Sequence, residues 1–203
     1  MTDWKQVGRG KTDDEDTFPN ILEPTRIATL KGVSIAKVCG GSAAAHCMAI
    51  AADGRVFTWG RNETGQLGLG DVDNRAAPTE VKALAGIKVV DGSCGKSHTV
   101  VVTADGNAYA WGSNKHGQLG VGSIARTKPK EDDNRLVPVQ CSVSACGAVA
   151  CGAEFTMWIC GDDGRLLSAG LPQYGQLGHG TDGEYNMATS SVKLAYEAQP
   201  QRS

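Results

Sequence analysis

The sequence predicts an all-β fold of short antiparallel strands, repeated radially or stacked. Three observations predict it. The tetrapeptide GQLG occurs three times, starting at Gly65, Gly117 and Gly175, at spacings of 52 and 58. Each copy follows a turn of similar kind, ADG at 52–54 and 104–106 and DDG at 162–164. No segment beyond roughly twelve residues carries a clean 3.6-residue hydrophobic period. A repeat near fifty residues belongs to solenoids and propellers.

The elements follow in order within each unit. A strand such as His98 to Thr103 runs into the ADG turn, where Asp and Gly accept tight-hairpin backbone angles. A second strand follows, at Val56 to Trp59 and at Ala108 to Trp111, with aromatic and β-branched content. Gly60, Gly112 and Gly170 end these strands. The pairs Gly65/Gly68, Gly117/Gly120 and Gly175/Gly178 then make a compact turn whose backbone packs closely on a neighbour. The stretch from Pro78 to Val90 returns to a weak β pattern, VKAL and then IKVV. Trp4 to Pro24 reads as a degenerate opening unit, and SSVKLAYEAQ near the end as two helical turns or a further strand.

The second spacing is six residues longer than the first. Most of the extra length is the charged loop 126–135, and one more residue lies between Cys151 and Asp163. Glycine accounts for 27 of 203 residues, well above the usual ~7%. A formal charge of −2 gives no electrostatic reason to bind nucleic acid or an anionic membrane. The apolar runs are far too short for a membrane-spanning helix. Seven cysteines and a polar start without a secretory signal point to reduced thiols in a cytoplasmic or nuclear protein, or in an organellar complex.

The candidate chemistry is thin. His46 and His98 share one repeat position, and Phe155 fills it in the third unit, where no proton chemistry is available. A histidine hydrogen-bonded inside its own turn is expected. Cys141, Cys146 and Cys151 are spaced by five and five, which suits no common zinc motif, so buried thiols are expected. Trp59 and Trp111 share a register and are expected to fill the space between units. Ala169 takes that slot in the third unit, with Trp158 on the neighbouring strand as the compensating indole. GQLGLG is not followed by a helix, so it is not a phosphate cradle. No catalytic residue, metal or cofactor is expected, and the run Asp13 to Asp16 reads as a solvated loop.

FTWGRNETGQLGLGD at 57–71 resembles the signature of the regulator of chromosome condensation family. KVCGGSAAAHC, CGAEFTM and LPQYGQLGH extend the resemblance over nearly the whole chain, most strongly to the family's second, telophase-disc branch. The resemblance implies blades of a seven-bladed β-propeller. About four of the seven fit here: a degenerate partial blade at 1–33 and repeat blades at 34–86, 87–143 and 144–203. It implies a non-catalytic interaction or scaffold propeller with a protein partner. The alternative it implies is nucleotide exchange on a small GTPase, with a role in mitosis or chromosome segregation. These residues hold no basic tail, so direct nucleic-acid binding is not expected.

Overall fold

The computed structural model describes residues 21–122 and 133–179. Three antiparallel sheets follow one another along the chain. The first holds β1 (Ile35–Cys39), β2 (His46–Ala51), β3 (Val56–Gly60) and β4 (Arg75–Glu80) in sequential order. The second holds β5 (Val89–Cys94), β6 (His98–Thr103), β7 (Ala108–Ser113) and β8 (Asn134–Gln140). The third holds β9 (Cys146–Cys151), β10 (Phe155–Cys160) and β11 (Arg165–Gly170). Each sheet is a meander, the layout of a propeller blade.

Pairing registers superimpose the units. His46, His98 and Phe155 stand opposite Gly60, Gly112 and Gly170. The extra residue of the third unit lies in its hairpin: four residues separate the paired Cys160 and Arg165, against three between Thr103 and Asn107. The loop at 40–45 is three residues longer than that at 95–97, which shifts Cys39 away from Cys94 along the sequence.

The core lies between the sheets. One cluster joins Met48, Ile50 and Val56 of the first sheet to Val89, Val101 and Trp111 of the second. Another joins Val100, Val102 and Ala108 of the second sheet to Cys146, Trp158 and Ala169 of the third. The second sheet therefore packs one face on its predecessor and the other on its successor, as stacked repeats do.

Three expectations change. VKAL is not a strand, because Lys82–Leu84 forms a 3₁₀ turn that buries Val81 and Leu84 three residues apart and exposes the two residues between. The strands that follow the first two GQLG turns are β4 and β8, segments without strong β pattern. The cysteines are not all thiols, since Cys146 and Cys160 form a disulfide. Their strands place them directly opposite each other. Most of the opening unit, the loop 123–132 and the tail from 180 onward lie outside the described residues.

Candidate interaction surface

Each residue of the GQLG turn has a defined job. The glutamine side chain accepts a hydrogen bond from the backbone two residues before it: Gln66 from Thr64, Gln118 from His116 and Gln176 from Tyr174. The leucine carbonyl receives a hydroxyl from the second strand, Thr58 to Leu67 and Ser168 to Leu177, each at 2.8 Å. Leu67 and Leu119 are fully buried. Asn62 and Asn114 brace the turn by accepting from the leucine N–H. Pro172 stands at that place in the third unit and cannot brace it with a side chain.

The second glycine is where one blade meets the next. Gly68 has φ +72°, and a Cβ there would lie 2.8 Å from Nε1 of Trp111. Gly120 has φ +63°, and its Cβ would lie 2.6 Å from the Trp158 ring. These turns pack closely on a neighbour as expected, and at the second glycine the neighbour is an indole ring. By contrast Gly60, Gly112 and Gly170 do face backbone, at Ala45, Ser97 and Glu154. Gly65 packs on Leu136, while Gly117 and Gly175 share its positive φ. Trp158 thus reaches, from the adjacent strand, the kind of place Trp111 takes. Its Nε1 has no partner, whereas Trp111 donates to the Gln66 carbonyl at 2.8 Å. Trp59 is buried in the first blade.

The histidines do not bond inside their own turns. Nε2 of His46 meets Oγ1 of Thr99 at 2.8 Å, and Nε2 of His98 meets Oγ1 of Thr156 at 2.9 Å. Each threonine donates its hydroxyl to a glutamine carbonyl, Thr99 to Gln66 and Thr156 to Gln118. The histidine must therefore donate from Nε2, and its Nδ1 is bare and unpartnered. Burial drives both rings to the neutral form, His46 to about 3 and His98 to about 4. The glutamine turn, threonine hydroxyl and histidine ring form a buried polar chain across each interface. No local motif signals this chain, because its bonded members lie 33 to 58 residues apart.

Asp91 was also missed. One carboxylate oxygen pairs with Lys37 of the first sheet, and the other accepts Val149 N–H of the third at 3.0 Å. It clamps three innermost strands together.

The third sheet breaks the pattern. Ile50 with Val56, Val102 with Ala108 and Ile159 with Leu166 are cross-strand pairs at one register. The first two pairs are at most 2% exposed, while Ile159 and Leu166 are 47% and 48% exposed. Phe155 and Met157, on the same face, are only half-buried. Gly178 is exposed, and a Cβ there would meet nothing. Tyr174 projects from the adjoining turn at 84% exposure. Among the described residues no blade packs on this forward face, and it is the candidate interaction surface. Among the described residues, no three His, Cys, Asp or Glu side chains converge as a metal site. No described helix is long and apolar enough to cross a membrane.

Sequential four-stranded meanders packed face to face define a β-propeller, here as part of a ring. Solved propellers agree. Yeast RCC1 (Prp20) bound to Kap60 superimposes with a TM-score of 0.72 at 20% identity, over 93% of this chain and 44% of that one. Prp20p of Saccharomyces cerevisiae gives 0.72 at 19% identity, over 98% and 45%. The regulator of chromosome condensation (RCC1) repeat matches residues 53–102 and 105–159, and a second form of that repeat matches 35–66 and 89–118. The chain belongs to the regulator of chromosome condensation repeat family. Protein RCC2 homolog of Xenopus laevis is 39% identical over 91% of the chain, and human Protein RCC2 is 35% identical over 99%. The chain spans 36% and 38% of the length of those relatives.

Proposed function

We propose that the chain is a non-catalytic protein-interaction module, a scaffold or subunit within a larger intracellular assembly. The exposed pair Ile159 and Leu166 carries this reading, because the same register is buried by a neighbour in the two sheets before it. An apolar sheet face of this kind is where a protein partner docks. On this reading the repeat blades divide at 34–86, 87–143 and 144–203, and the open face lies beyond the last closed interface, that between the second and third sheets. Cross-linking in native extract, read by mass spectrometry, tests the reading. A protein cross-linked to residues 155–178, and lost with Ile159→Asp, is expected. A partner set unchanged by that substitution would overturn it.

A second reading is regulation of a small GTPase, including nucleotide exchange, in mitosis or chromosome segregation. The similarity to RCC2 proteins favours it, as does the propeller of Prp20p, a protein studied for its binding to Gsp1p and histones. Exchange would act through contacts that deform the nucleotide site of the GTPase, with no covalent chemistry in the propeller. Release of labelled GDP from a panel of small GTPases measures it. Acceleration supports exchange, and unchanged release across the panel removes it.

A further inference from the structure

We propose that Cys146 and Cys160 form a redox-responsive staple that sets how firmly the third sheet is held together. Three observations carry it. The two residues are direct partners across β9 and β10 and close a 14-residue separation. The equivalent places are Val89 and Thr103 in the second sheet and Ile35 and Ala51 in the first, so the pair is not a product of the repeat. Its sheet is also the one on whose forward face no described strand packs.

The remaining described cysteines, at 39, 47, 94, 141 and 151, are free thiols. Burial pushes Cys39 up to about 11 and Cys151 up to about 12, and raises the other three as well. Their thiolates are suppressed, which leaves them inert to exchange. Cys146 and Cys160 are 5% and 1% exposed within the core between the second and third sheets. Exchange therefore proceeds through local opening of β9. That strand begins just after Ala145, whose φ of 53° makes it the one described non-glycine residue with positive φ.

The oxidant is a small-molecule disulfide of the glutathione class. One cysteine thiolate attacks a sulfur of that disulfide, which forms a mixed disulfide and releases one small thiol. The second cysteine then attacks the protein-bound sulfur, closes the Cys146–Cys160 bond and releases the second small thiol. Two cysteine thiols lose two protons and two electrons, and the small disulfide becomes two thiols. A crosslink over a loop of this length slows local opening by roughly a hundredfold. The inference does not depend on which partner the open face takes, since its readout is the sheet itself.

The test equilibrates the full chain in glutathione buffers from reducing to oxidising. Free thiols are counted and amide exchange is followed by peptide. Seven thiols under reduction, five under oxidation, and exchange in 146–160 slowed roughly a hundredfold by oxidation are expected. Exchange in 46–60 stays constant. The double variant Cys146→Val with Cys160→Thr copies the residues of the second sheet, so it retains a tolerated core. Its exchange is expected to ignore the buffer. Seven thiols throughout, five thiols throughout, or an exchange rate indifferent to the bond would each overturn the proposal.

Discussion

Ile50 and Ile159 occupy one register in two sheets of one repeat, yet one is buried and the other is half in water. Their strands and pairing partners correspond, and the hairpins beyond them differ by one residue. The difference is the neighbour. In the first sheet the forward face meets Val101 and Trp111 of the next blade, and its polar atoms enter a chain of bonds through Thr99. In the third sheet Phe155 stands where the histidines stand, and nothing described packs on it. Burial in this architecture is a property of the interface, not of the strand. A blade is fully specified only when the next one arrives.

The largest expected effect compares the same glycine in a closed and an open interface. Gly68→Val combines a β-branched residue at φ +72° with a clash against the Trp111 indole, and costs about 4 kcal/mol. Gly178→Val shares the positive φ but meets no atom, and costs about 2 kcal/mol. Urea unfolding of both variants reads the difference. Equal losses would mean that backbone strain alone fixes these glycines.

The next effect is a pH dependence confined to the closed interfaces. His46 and His98 stay neutral in the fold, while in the unfolded chain they take up a proton near pH 6.5. The unfolded state then holds more protons, so stability is full above pH 6.5. It falls as pH drops toward about 4 for His98 and about 3 for His46. The loss reaches about 1 kcal/mol per histidine by pH 5.5. Denaturation midpoints across pH 5 to 7.5 measure it, and a flat profile would contradict the buried neutral rings.

His98→Phe places the third sheet's residue in the second. Gly95 lies against the His98 ring as Gly152 lies against Phe155, so the phenyl ring has room. Thr156 keeps its bond to the Gln118 carbonyl. The expected cost is about 1 kcal/mol at pH 7.5. The variant should also lose about half of the pH-dependent term, which the same midpoints report.

The repeat, its hairpin turns and its aromatic strands were legible because they are local. Glycine at positive φ and Asp-Gly turns announce themselves in a short window. Trp158 compensating for Ala169 was legible because the two lie on adjacent strands, Trp158 opposite Leu167 and Ala169 opposite Thr156. The polar chain from His46 through Thr99 to Gln66 was not, since it joins three separate strands and turns. RAAPTE gave no strand signal because Ala and Pro are weak β formers, yet β4 is held by Phe57, Thr58 and Gly60 alongside it. Cys146 and Cys160 looked unrelated because the sequence shows a spacing, while only the register shows that they face each other.

One measurement tests the central claim most directly. Ile50→Ala and Ile159→Ala remove the same atoms at the same register, and urea unfolding at pH 7.5 gives the cost of each. The account predicts a loss of about 3 kcal/mol for Ile50→Ala and less than about 1 kcal/mol for Ile159→Ala. Equal losses would show that the face of the third sheet is already covered in the isolated chain, and would contradict its assignment as an open docking surface.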